Sequence, residues 1–159
     1  MTAWTRRGCA AACGLCDGAV MTIFVVDAPV AIDLASSGAA IPSEHSLTAP
    51  TLLRSQVLAL VYESVHRGEL DERAGRKVLN GIRGLRIRLL GDRSLQDHAW
   101  QIAATLNWSD TYRAEYIALT QLQADVLATA DSDLAAAARG FVTTVSPADI
   151  LRPSSHIPR

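Results

Sequence analysis

The run Thr22-Ile23-Phe24-Val25-Val26 constrains the fold more than any other stretch of this 159-residue chain. Its residues are all β-branched or aromatic, and no charge interrupts them. A half-exposed strand alternates apolar and polar positions. A continuous run instead suits a central strand of a parallel sheet, covered on both faces. Asp27 ends the run. Pro29 then stands where a first helical turn accepts a residue without an N–H. The helix is predicted to reach about Ser36 and to stop at Gly38.

The same alternation continues along the chain. Leu53, Val57, Leu60, Val61 and Val65 recur at helical spacing, so a second helix is predicted from Pro50 to about Arg67, with Gly68 behind it. A third runs from Asp71 to about Ile82, and Arg86-Ile87-Arg88-Leu89-Leu90 reads as a short strand. Asp92 or Ser94 caps a helix to about Leu106, and Ser109 or Asp110 caps another ending near Ala124. Val126–Thr129 reads as a strand, followed by an Ala-rich helix leading to Gly140. Phe141–Thr144 is the last predicted strand, and Pro147 opens a final helical turn. Strands alternating with helices predict an α/β fold with a mainly parallel sheet.

Hydrophobic residues make up 49% of the chain and charged residues 19%, which excludes disordered, collagen-like and disulfide-scaffold classes. One domain is predicted over residues 21–152. Residues 1–20 hold all three cysteines and no periodic apolar pattern, and are read as an extension without fold ahead of a start at Met21. Residues 153–159 are read as a loose tail. The longest apolar stretch, Ala19 to Ala35, is broken by Asp27 and Asp33, so it is no membrane span. The first twenty residues lack the Leu-rich centre of a signal peptide, and a cytoplasmic location is expected. Net charge is −1, so nucleic acid would have to meet a local patch such as Arg73, Arg76, Lys77, Arg83, Arg86, Arg88 and Arg93. Alone, that cluster is read as a solvated helix face.

The chemistry is expected at a pair of acids. Asp27 follows one buried strand and Asp131 another, and parallel strands bring their carboxyl ends to one edge of the sheet. On neighbouring strands the two carboxylates would repel unless a proton or a cation intervened. A hard divalent cation with oxygen ligands suits such a pair. The competing reading is that each acid caps the helix behind it. Asp110, at the start of another helix, brings the two readings close to even. Cys9, Cys13 and Cys16 have a spacing seen around iron–sulfur clusters, but they fall in the extension. His45, His66, His98 and His156 share no spacing with carboxylates and are read as surface or packing residues. Trp100 and Trp108 are assigned to the core or to an interface.

Four segments together resemble the PIN-domain family, in particular the VapC-like ribonuclease toxins of type II toxin–antitoxin systems. Val25-Val26-Asp27-Ala28 is similar to the opening motif. The stretch Ala49-Pro50-Thr51-Leu52-Leu53-Arg54-Ser55-Gln56-Val57 is similar to the second, with Gln56 where the motif has Glu. Thr111-Tyr112-Arg113-Ala114-Glu115-Tyr116-Ile117-Ala118-Leu119 is similar to the third, with Arg113 where the motif has Asp. Leu127-Ala128-Thr129-Ala130-Asp131-Ser132-Asp133-Leu134 is similar to the fourth.

The resemblance covers about Met21 to Leu151. It implies a three-layer α/β/α PIN-like nuclease domain and a metal-dependent endoribonuclease that hydrolyses RNA with Mg2+ or Mn2+. It also implies inhibition by a cognate antitoxin protein, and a homodimer. Asp27 and Asp131 carry over as catalytic, metal-binding acids. Asp110, one turn before Arg113, is placed with them, and Glu63 shares a helix face with Gln56. Arg113 and Gln56 are assigned to the substrate, since a guanidinium can grip a phosphate through two bonds. The alternative is a PIN-fold module with weakened or lost catalysis that binds RNA or a protein. If Asp110 or Glu63 points into the Asp27–Asp131 cleft, the enzyme gains; if both point away, the binding module gains.

Overall fold

A computed structural model describes residues 21–153. The expectations for residues 1–20, their cysteines included, and for 154–159 lie outside the described residues.

Five strands form one sheet: β1 (Thr22–Val26), β2 (His45–Pro50), β3 (Arg88–Leu90), β4 (Val126–Ala128) and β5 (Thr144–Val145). Their order is β3-β2-β1-β4-β5 and all neighbours are parallel. The helices are α1 (Ala28–Ser37), α2 (Leu53–His66), α3 (Glu72–Gly84), α4 (Arg93–Thr105), α5 (Tyr112–Gln123) and α6 (Ser132–Ala138), with a closing 3-10 turn at Pro147–Leu151. The fold is thus α/β, a parallel sheet between helical layers, as the sequence predicts. The run at Thr22–Val26 is the central strand, and Phe24, Val25 and Val26 are fully buried.

The order of the strands places a switch point. From β1 the chain steps outward to β2 and β3, then returns to the other side of β1 for β4 and β5. Crossovers between parallel strands are right-handed, which puts α1–α3 over one face and α4–α6 over the other. The winding therefore reverses between β1 and β4, where open α/β sheets leave a crevice beyond their carboxyl ends.

Two sequence expectations change. Pro50 does not open a helix: it is the last residue of β2, a strand that sequence reasoning missed, and α2 begins at Leu53. Ser, Ala and Pro have weak strand preference, and β2 exists because β1 and β3 pair with it on both sides. Pro50 is tolerated because pairing with β1 ends at Thr48, so its missing N–H costs no rung there. The last strand also lies later than predicted, at Thr144–Val145 rather than Phe141–Thr144.

Among the histidines, His45 is a packing residue. Its ring meets Phe24 edge-on at 4.9 Å, and its Nδ1 lies 2.7 Å from the Ile150 carbonyl oxygen. His66 is exposed, and His98 is half-buried with its Nε2 2.8 Å from Gln121 Oε1. Trp108 packs against the core, while Trp100 stands 72% exposed, outside the core half of the expectation of core or interface. Among the described residues no helix is long and apolar enough to cross a membrane.

Candidate functional site

The switch point brings Asp27 and Asp131 together. Val26 and Ala128 are paired across β1 and β4, and the two acids follow those strand ends. Asp27 is 4% exposed. Its Oδ1 accepts from the Val30 N–H at 3.0 Å, which caps α1. Its Oδ2 accepts from the Thr129 hydroxyl at 2.5 Å. Thr129 Oγ1 accepts in turn from the Asp131 N–H at 3.0 Å. One hydroxyl therefore ties the first acid to the backbone of the second.

Asp131 divides its two oxygens. Oδ1 accepts from the N–H groups of Asp133 and Leu134 at 2.9 and 3.1 Å and caps α6. Oδ2 faces the Arg113 guanidinium, with Nη2 at 2.8 Å. The capping reading and the paired-acid reading of the sequence are both satisfied, by different oxygens. Arg113 comes from the first turn of α5, and Tyr116, three residues on, shares its helix face. The buried Tyr116 hydroxyl donates to Gln56 Oε1 on α2 at 2.5 Å.

Burial governs the titration of this cluster. It pushes the Asp27 carboxyl above the usual carboxylate range, and the Asp131 and Asp33 charges push the same way. The bonds from Thr129 and Val30 pull partly back. Burial likewise raises the Tyr116 phenol, and the negative charges of Asp27 and Glu115 add to the rise. The half-buried Glu115 carboxyl is raised by desolvation too.

The remaining expected acids stand apart. Asp110 is exposed, and its Oδ1 accepts from the Tyr112 N–H at 3.1 Å. Thr111, not Ser109 or Asp110, occupies the cap position of α5. Glu63 is exposed and turned towards Arg67, 3.8 Å away. Neither is among the charges that act on the Asp27 carboxyl. Among the described residues no group of three or more His, Cys, Asp or Glu side chains comes together as a metal cage.

Asp27 and Asp131 are the carboxylates that this edge would offer to Mg2+ or Mn2+, cations held by oxygen ligands. Both Asp27 oxygens and Asp131 Oδ1 accept hydrogen bonds from the protein, and Asp131 Oδ2 already faces a positive charge. Gln56, expected at the substrate, accepts the Tyr116 hydroxyl with its carbonyl oxygen.

Sequence reasoning missed Thr129 and Tyr116. Thr129 stands two residues before Asp131 at the end of a buried strand, the place from which a short hydroxyl reaches a neighbouring strand end. Tyr116 carries a polar atom on an otherwise apolar helix face, which signals a buried partner.

No protein-family model matches the chain, and no curated protein matches it significantly. Among solved structures it is similar to the crystal structure of PAE2754 from Pyrobaculum aerophilum. The two chains are 19% identical, the match covers 84% of this chain and 96% of that one, and the TM-score is 0.64. At that identity the likeness concerns the fold.

Proposed function

We propose that the chain is a PIN-type module that works by binding a protein partner, with an arginine holding the position a divalent cation would take at its acidic edge. The observation that carries this reading is the Arg113–Asp131 pair at 2.8 Å, with Asp110 bonded to the Tyr112 N–H and Glu63 3.8 Å from Arg67. A guanidinium beside Asp131 relieves the repulsion between Asp131 and Asp27 without an added ion, and burial favours the protonated form of Asp27.

A protein suits this edge better than RNA. Asp110, Asp131, Asp133 and Glu115 all lie at or just before the first turns of α5 and α6, with Arg113 as the basic residue among them. Phosphates bind where cations outnumber anions. The homodimer and the antitoxin implied by the resemblance are partners of the expected kind.

The second reading is the metal-dependent endoribonuclease toxin, and the approach of Asp27 and Asp131 at the switch point favours it. One experiment separates the two. A labelled structured RNA is incubated with the full chain and Mg2+ or Mn2+, beside Asp27→Asn, which keeps an oxygen for the α1 cap. The binding module requires equal, background-level cleavage in both proteins. Metal-dependent cleavage that the variant loses would establish the nuclease.

A further inference from the structure

Arg113 is the loosest member of the cluster at the acidic edge. Asp27 is held by the Val30 N–H and the Thr129 hydroxyl, and Asp131 Oδ1 by the N–H groups of Asp133 and Leu134. Those bonds fix both carboxylates without any help from Arg113. The Arg113 side chain is 49% exposed and that of Asp131 31%, and their ion pair engages Oδ2 alone. A pair this open to water is weak, so a small ligand can part it. Asp131 Oδ2 is then free. The bonded oxygens keep room as well, because an ionised carboxylate has about four acceptor sites.

Neither a cation nor an anion suits this edge alone. A divalent cation at Asp131 meets the guanidinium, a like charge. An anion at Arg113 meets Asp131 beside it, with Asp133 and Glu115 in the first turns of α6 and α5. Together the charges pair off: the anion takes Arg113, the cation takes Asp131 and Asp27, and the two ligands attract each other.

From this juxtaposition we infer that the Arg113–Asp131 pair is a lock opened by a carboxylate of a partner protein, so that this carboxylate and a divalent cation enter the edge only together. The inference rests on the reading above, in which Arg113 holds the position of the cation, and adds what displaces it. Exchanging Asp131 for a partner's Asp or Glu leaves the guanidinium a charged acceptor of the same shape. A phosphate group brings up to about twice the negative charge to an edge already rich in acids, and fits less well. Coupling of this kind is reciprocal: each ligand tightens the other by the same factor.

The test is a calorimetric titration of Mn2+ into the full chain in chloride, in acetate and in sulfate at one ionic strength, with each salt titrated alone as the blank. Acetate should tighten Mn2+ binding to wild type at least about fivefold, and more than sulfate does. Asp131→Asn should lose that response. Arg113→Gln, which has no guanidinium to displace, should bind Mn2+ more tightly than wild type in chloride and gain less than about twofold from acetate.

Wild type that ignores acetate, or Arg113→Gln that responds to it as wild type does, would overturn the lock. Tightening by sulfate as large as that by acetate would overturn the assignment to a carboxylate. Either result leaves Arg113 in the position of the cation. Saturable binding to wild type in chloride alone would instead defeat that underlying reading, and the lock with it.

Discussion

Asp27 is the residue on which the site turns, and its environment makes a pH prediction. Burial raises its pKa in the folded protein above the unfolded value near 3.8. The folded state then holds the proton more tightly than the unfolded state does. Its contribution to stability is therefore greatest at low pH and falls as pH rises through the window above 3.8. Asp27→Asn removes that titration and keeps an acceptor for the Val30 N–H. Thermal melts of both proteins from pH 4 to 7 should show the melting temperature of the variant gaining on wild type as pH rises. Parallel curves would mean that Asp27 titrates normally. Tyr116→Phe tests the other half of the network. It leaves Gln56 Oε1 without its donor and should cost roughly 1–2 kcal/mol in denaturant unfolding, because a half-buried acceptor regains water only in part. The Arg113–Asp131 pair should contribute less, about 1 kcal/mol or below, since half of the Arg113 side chain is exposed. Its importance is positional.

At the scale of elements, what the sequence made legible depended on whether local preference and tertiary pairing agreed. β1 was legible because β-branched and aromatic residues fit a doubly covered strand. α1 and α3 were legible because Asp27 and Asp71 accept from the N–H three residues on. β2 was hidden because pairing with β1 and β3 makes it, and its own residues do not. α2 and α3 meet closely at Gly75, where an added Cβ would lie 2.8 Å from a Val65 methyl and 3.3 Å from a Val61 methyl. Gly75→Ala gains about 1 kcal/mol of helix preference but meets about 1–3 kcal/mol of overpacking. A net loss on the order of 1 kcal/mol is expected in urea unfolding. A stabilised variant would mean that the two helices part easily.

Over the whole molecule, the switch between β1 and β4 turns two acids 104 residues apart in the chain into one cluster. Sequence order showed that both acids follow buried strands. It did not show that the strands are neighbours, since that depends on how the chain returns from β3. Nor could it show where Arg113 points. A residue at the first turn of α5 can face the cleft or solvent, and the ion pair with Asp131 settles that geometrically. The same holds for Asp110: it lies close to Arg113 in sequence, and its carboxylate meets the Tyr112 N–H two residues on.

In the proposed binding module that guanidinium acts where a cation would, and a calorimetric titration of Mn2+ into the full chain addresses this directly, beside Arg113→Asp. Wild type should give no saturable binding at millimolar Mn2+. The variant, which replaces the positive charge by a carboxylate next to Asp131, should bind at least about tenfold more tightly. Saturable binding to wild type that Asp131→Asn abolishes would contradict the account and return the site to the metal-dependent nuclease.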